Sequence, residues 1–405
     1  MREVWITGIG LITALGTDRE TSWEKLVRGD CGIRPLTLFD TAGYRTHLAA
    51  QVEESALEAP PFAAGAARHA SRTSRLALRA VAEALDDAKV APASVSGKPW
   101  GLVLGGGSSG MFEAEGFLQR RLTGGPRTTG LTELLEVPQD AATDRLAEAL
   151  ALTGPRVTVT TACSSTTLAV GLAAGLGREG EVEVALAGGA DGLCRLTYAG
   201  FNSLRAVDPD PCKPFDRRRK GLSLGEGAAI LVLEPAEGAR RRSVRPYARV
   251  AGYGVTSDAF HMTQPEPTGR AWERTLRAAL CDAGMAPEEI AYVNAHGTAT
   301  EKNDSAECAA YHRLLGERMA RVPVSSVKGA LGHCLCGAGG IEAAITAMVV
   351  SRGVVPPTVG FAEPDEACRI DPVPVCGRHV PVPVALSSSF AFGGNSAVLV
   401  LAAAV

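Results

Sequence analysis

Residues 156–177 read RVTVTTACSSTTLAVGLAAGLG. The first six are rich in β-branched Val and Thr, which suits a strand. From Cys163 to Gly177 the side chains are small and uncharged, which suits a helix packed closely on its neighbours. The change from strand to helix falls at Ala162-Cys163-Ser164. A thiol so placed stands near a helix N-terminus, where unpaired N–H groups and the helix dipole favour thiolate and can hold an oxyanion. Strand–turn–nucleophile–helix is an order used in acyl transfer. The competing reading of Cys163 is a small buried thiol with a packing role.

A second stretch follows the same grammar. Residues 322–345 read VPVSSVKGALGHCLCGAGGIEAAI: a strand over 322–326, then Lys328, then a small-residue helix from about Gly337. Three further pairs correspond in character: 4–16 with 250–257, 100–107 with 290–297, and 222–233 with 384–401. Their period is about half the chain, so the repeat implies a duplicated domain rather than a solenoid. Strands alternate with helices, which gives an α/β class with buried central sheets. Amphipathic spacing predicts helices at 71–88, 141–150, 270–283 and 305–315. The expected division is 1–235, carrying Cys163, and 236–405. The charged run PAEGARRRSVRP at 235–246 reads as a surface connector between them.

With 405 residues, 46% of them apolar and 21% charged, the chain has the make-up of a large globular fold. A net charge of −3 supplies no global basic field for nucleic acid. Ten cysteines are spread thinly, and the start of the chain carries an acid and then enters a strand. Both point to a reducing, cytoplasmic setting without a leader. Two uncharged stretches, 157–177 and 384–405, are long enough to raise the question of a membrane. Both are broken by Gly, Ser and Thr, so they are expected to be buried segments with no membrane insertion.

Other positions carry chemistry. His296 ends a strand in Asn294-Ala295-His296-Gly297-Thr298-Ala299-Thr300, at the end where open α/β sheets place ligands. A turn-bonded histidine is the alternative. Lys328 and His333 share a glycine-flanked stretch before an uncharged helix, and a buried Lys needs a partner, for which Glu342 is the nearest acid. A surface turn is the alternative there. Phe390-Ala391-Phe392-Gly393-Gly394-Asn395 offers aromatic walls beside a mobile turn, or simply core packing and a hairpin. Cys163, His296, Lys328 and His333 stand at equivalent ends of repeated strands, which converge in a duplicated fold. His333-Cys334-Leu335-Cys336 could suggest zinc, but no second Cys pair has matching spacing, so no metal site is expected.

Taken together, Thr161-Ala162-Cys163-Ser164-Ser165, Asn294-Ala295-His296-Gly297-Thr298, Lys328…Gly332-His333 and Phe390-Ala391-Phe392-Gly393-Gly394 resemble, in order, the signature blocks of β-ketoacyl-acyl carrier protein synthases. The resemblance spans essentially the whole chain. It implies a thiolase-like duplicated fold, a five-layer αβαβα sandwich that is normally dimeric. It implies that Cys163 takes an acyl chain, that His296 and His333 bind the malonyl thioester oxygen, and that Lys328 and Glu342 pair to orient the site. The backbone N–H groups of Cys163 and Phe392 would form an oxyanion hole, with Phe392 as gate and Phe390, Thr298, Thr300 and Gly393 in support. Substrates would ride on the phosphopantetheine of acyl carrier protein, with no other cofactor.

Two histidines, and no cysteine in the last block, resemble elongating synthases. The presence of Cys163 is unlike a chain-length factor. Asn294, and a chain running from first strand to last, resemble stand-alone type II enzymes. Asn303-Asp304 resembles type II polyketide ketosynthases, the shortened loop LRAVDPDPCKPFD at 204–216 is similar to those of the aryl-polyene-like, highly reducing kind, and Asn395-Ser396 departs from the Thr-Asn usual after Gly-Gly. The partner would then be a second copy or a chain-length-factor-like ketosynthase. The alternatives are primary fatty-acid elongation and a non-catalytic assembly partner. Acidic carrier proteins call for a basic mouth, for which Arg68, Arg72, Arg205 and Arg217 are candidates, with Arg75, Arg120, Arg121 and Arg218 beside them.

Overall fold

A computed structural model describes residues 2–124 and 130–404, so the outermost residue of each expected half lies outside the described residues. Ten strands build the main sheet: β1 (Val4–Ile12), β2 (Gly101–Gly105), β3 (Arg156–Val159), β4 (Ala185–Asp191), β5 (Gly227–Pro235), β6 (Ala248–Ser257), β7 (Tyr292–Asn294), β8 (Val324–Ser325), β9 (Val384–Phe390) and β10 (Asn395–Ala402). Their order is β8-β7-β9-β10-β6-β1-β5-β4-β2-β3. The first five strands and the last five repeat one pattern about the β1/β6 seam. β1–β5 and β5–β4 are antiparallel, while β4–β2 and β2–β3 are parallel. β6–β10, β10–β9, β9–β7 and β7–β8 repeat that sequence. The seam itself is short and antiparallel, Trp5 opposite Arg249 and Ile6 opposite Ala248.

Each strand in one half thus has its counterpart five strands on, as a duplicated domain requires. Three of the four expected correspondences match this register, and the fourth needs correction. Residues 384–401 span two strands, and only β10 matches β5. The counterpart of β9 is β4, which the sequence reading left unpaired. Its sequence, ALAGGAD, has no β-branched residue, so no strand pattern announced it.

Six helices complete the layers: α1 (Arg72–Asp87), α2 (Ala141–Leu150), α3 (Ser165–Glu179), α4 (Arg270–Ala283), α5 (Glu301–Leu315) and α6 (Ala338–Arg352). α1 and α2 cover one outer face and α4 and α5 the other. α3 and α6 lie between the halves, each touching strands of both. The result is the five-layer α/β thiolase-like sandwich. Side-chain size explains why the layers close. A Cβ at Gly10 would lie 1.8 Å from the Ala80 carbonyl, so α1 rests directly on the β1 backbone. Ser71 caps α1 by accepting from the Ser74 N–H. α5 begins a turn earlier than 305, because Glu301 and Asp304 favour its first turn.

As expected, the stretch 157–177 is strand, turn and helix, and 384–402 is strand, turn and strand. A further one, Leu335–Arg352, has the length and apolarity to cross a membrane, but 83% of it is buried in the protein, around Glu342. The connector holds a short helix, Ala236–Arg241. Ala236 and Ala239 pack on Trp5, and Ala404 joins them, so the connector meets the first and last strands in one small cluster.

Candidate active site

Cys163 stands between β3 and α3. The chain turns sharply there: Ala162 has φ 52°, a left-handed conformation that is uncommon for a residue with a Cβ. Ser165 braces the turn, accepting from the Thr161 N–H at 2.9 Å and donating to the Ala162 carbonyl at 2.6 Å. Cys163 is buried, and the backbone N–H groups of Phe392 and Cys163 point toward its sulfur. The sequence reading expected a favoured thiolate. Burial is the stronger effect and pushes the thiol up to about 11, against the opposing pull of Lys328 and the two N–H groups.

His296 and His333 converge on this thiol. One ligating atom from each of the three residues lies within 4.8 Å of the others. The imidazoles meet edge to face, 5.3 Å between centroids at 87°. Lys328 binds the His296 side, donating to the His296 carbonyl at 2.6 Å and approaching Nδ1 at 3.3 Å. It also pairs with Glu342 in the middle of α6, and all these groups are buried. An ammonium beside Nδ1 makes that nitrogen an acceptor and leaves the ring proton on Nε2. Burial first and Lys328 second hold both histidines well below their usual value, so both are neutral near pH 7. Glu307 on α5 accepts from the N–H groups of His296 (2.6 Å) and Gly297 (2.8 Å) and from Tyr311. Burial pushes this carboxyl up to about 7.

Cys163, His296 and His333 close the floor of a 510 Å³ cleft whose walls include Thr298, Thr300, Phe390 and Phe392. Thr298 and Thr300 hydrogen-bond each other at 3.0 Å. Phe390 stacks on Trp272, and Phe392 stacks on Phe201 at 5.8 Å. Gly393 and Gly394 both have φ 80°, which lets the chain reverse between β9 and β10.

The structure therefore brings together Cys163, His296, His333, Lys328, Glu342, Phe390, Phe392, Thr298 and Thr300, with Gly393 in the adjoining turn. Arg205 lines the same cleft, whereas Arg68 is exposed elsewhere and Arg217 pairs with Glu363. Arg72 is not at a surface. It is 1% exposed and donates to Glu226, Glu54 and the Val52 carbonyl. Sequence reasoning missed Glu307, Phe201 and Trp272, and the exposed rim cations Arg45, Lys220 and Lys302. Glu307 had a signal, a second acid after Asp304 on the buried face of α5, while the aromatic and rim residues had none. Cys334 and Cys336 are buried apart from a metal-binding group. Among the described residues, Cys163, His296 and His333 form the one His/Cys/acid group compact enough to ligate a metal, and the nearby Lys328 ammonium opposes a cation there.

Residues 1–239 match the family described as "Beta-ketoacyl synthase, N-terminal domain", and residues 247–362 match "Beta-ketoacyl synthase, C-terminal domain". The chain is 34% identical to 3-oxoacyl-[acyl-carrier-protein] synthase 2 of Staphylococcus aureus (strain COL), over 98% of both chains. Among solved structures it is similar to the ishigamide ketosynthase/chain length factor, with 34% identity, full coverage of both chains and a TM-score of 0.93. It is also similar to a ketosynthase solved as a type II PKS acyl-carrier protein in complex with its ketosynthase bound to the hexaketide, with 27% identity, full coverage and a TM-score of 0.91.

Proposed function

We propose that this chain, which belongs to the β-ketoacyl synthase family and is a β-ketoacyl-acyl carrier protein synthase by its relatives, elongates chains in a type II polyketide pathway. The observation that carries the chemistry is the convergence of Cys163, His296 and His333 within 4.8 Å at the floor of an open cleft. The thiol, buried and high in pKa, gives up its proton as the sulfur attacks an acyl thioester, and that proton goes to the departing carrier sulfur. The tetrahedral oxyanion rests on the N–H groups of Cys163 and Phe392, and the carrier thiol leaves with a proton. A malonyl thioester then presents its carbonyl oxygen to the Nε2–H of His296 and a ring N–H of His333. Loss of carbon dioxide leaves an enolate on that oxygen, and the enolate carbon attacks the acyl-Cys163 carbonyl. Collapse frees the Cys163 sulfur, which regains a proton, and the product is a β-ketoacyl thioester. Lys328, neutralised by Glu342, sets the His296 tautomer, while Phe392 gates the thiol.

Both substrates would ride on carrier-protein phosphopantetheine. Arg45, Arg205, Lys220 and Lys302 around the cleft suit its phosphate and an acidic carrier, and Arg68 and Arg217 are further candidates. The polyketide assignment is supported by the shortened loop at 204–216, by Asn303-Asp304, and by likeness to the ishigamide enzyme. Exposed Leu118, Leu122, Leu131 and Leu135 offer an apolar face for a dimer, with a chain-length-factor-like ketosynthase as the favoured partner. The division 1–235 and 236–405 is kept as the working boundary of the halves, in a cytoplasmic enzyme. Fatty-acid elongation is the second reading, favoured by the Staphylococcus aureus relative.

Intact-protein mass spectrometry after incubation with acyl-carrier protein tests the reading. One acyl group gained by wild type and none by Cys163→Ala is the expected result. No gain, even with a co-expressed chain-length-factor-like partner, would assign the chain a non-catalytic assembly role. Unreduced or polyunsaturated products favour the polyketide pathway, and saturated chains the fatty-acid one.

A further inference from the structure

Trp272 lies in the first turn of α4 and is only 4% exposed. Its indole lies flat on the Phe390 ring, 4.2 Å between centroids at 7°. Phe390 in turn meets His296 edge to face, at 6.2 Å and 76°. His296 meets His333 in the same manner. Four rings thus form an unbroken chain that ends at the two imidazoles.

The polar contacts of His296 do not complete its placement. Glu307 fixes its backbone N–H, and Lys328 approaches Nδ1 at 3.3 Å from a flexible stem. Neither fixes the tilt of the ring, because the terminal torsion of histidine is soft. A flat wall does fix it, and Phe390 supplies that wall. Phe390 is itself the last residue of β9, three residues before a pair of left-handed glycines, so its own support must come from elsewhere. Trp272 provides it from a helix of the outer layer.

We propose that Trp272 is a positioning residue, whose stack on Phe390 holds the His296 ring in the plane that aims its N–H donor at the malonyl oxygen. The proposal rests on the decarboxylative reading above. Trp272 also borders the cleft, so a role as a simple wall for substrate is the rival account. The two differ in what they change. A lost wall weakens binding, whereas a tilted imidazole slows the step that uses it.

The test compares Trp272→Ala and Trp272→Phe with wild type. Acylation of Cys163 and decarboxylation of malonyl-carrier protein are measured separately, and His296 is followed by NMR of 15N-histidine-labelled protein. Trp272→Ala should slow decarboxylation roughly tenfold, with KM and the acylation rate changed by less than about twofold. Trp272→Phe keeps a ring under Phe390 and should recover to within about threefold of wild type. The His296 ring resonances should shift in the alanine variant and return in the phenylalanine one. A raised KM at unchanged kcat, or equal losses in both steps, would overturn the proposal. So would a His296 resonance that does not move. Absence of decarboxylation in wild type would instead refute the condensing reading, and the NMR arm would still decide the role of Trp272.

Discussion

The two halves share one strand order yet spend their extra chain in opposite places. In the first half the step from β3 to α3 takes only residues 160–164, and it delivers a single thiol. The equivalent step from β8 to α6 takes residues 326–337 and delivers Lys328 and His333. The sheet hairpins reverse the pattern. β9 turns into β10 through residues 391–394, whereas β4 reaches β5 through residues 192–226, which carry Phe201, Arg205 and Lys220 to the rim of the cleft. A duplicated scaffold can therefore divide labour by where it lengthens its connections. The first half presents the nucleophile and the approach to it, and the second half supplies the ionisable groups.

The severest way to break this comparison is Lys328→Met. It leaves Glu342 buried without a partner, which should cost about 3–5 kcal/mol in chemical denaturation. Adding Glu342→Met removes both charges and should restore most of that stability without restoring condensation. Cys163 acylation should survive in the double variant, because the first half still presents its thiol. Loss of acylation together with condensation would contradict the division of labour.

A titration sharpens it further. His296 and His333 stay neutral in the folded protein well below 6.5, while the unfolded chain protonates both near that value. Below about 6.5 the unfolded state therefore binds more protons, and stability falls as pH drops, by up to about 2.7 kcal/mol per pH unit for the two groups. Cys163, pushed up to about 11, does not titrate in this window, whereas Glu307, raised to about 7, takes up a proton in the folded state and offsets part of the loss. Urea midpoints at pH 7.5 and 5.5 should separate clearly in wild type and much less in a variant with both histidines changed to Asn. Equal separations would show that the acid sensitivity belongs to other groups.

The smallest effect contrasts the two connections directly. Gly393 is left-handed, and a Cβ there would meet the Asn395 amide at an ordinary 3.6 Å, so Gly393→Ala should cost about 1 kcal/mol through backbone strain. Gly200 lies within the helix Arg195–Ser203 and has nothing within 4 Å, so Gly200→Ala should gain about 0.5–1 kcal/mol. Thermal unfolding of the two variants should show shifts of opposite sign.

Much of this was legible in the sequence, for identifiable reasons. Strand ends rich in Val, Thr and Gly marked β1, β2 and β3 and their counterparts, because both halves keep the same local grammar. Glu342 stood out as the lone acid in an apolar helix, and its pairing with Lys328 followed from the expense of burying either alone. β4 escaped because its small residues carry no pattern. Arg72 misled because a type count cannot see that Glu226 and Glu54 await it in the core. The height of the Cys163 thiol was illegible for a related reason. A helix N-terminus is visible in sequence, but the depth at which the turn is buried is set by layers assembled from distant segments.

The small cluster of Trp5, Ala236, Ala239 and Ala404 has a consequence for how the chain can be rearranged. First strand, connector and last strand meet at one point on the surface. A permuted polypeptide in which residues 248–404 precede residues 3–235, with a short linker across that point, would require no new contact and sever no strand. The seam between β1 and β6 would then pair a mid-chain β1 with β6 as the new first strand, the reverse of the present arrangement. The order in which the halves leave the ribosome would be inverted, with the histidines made before the thiol.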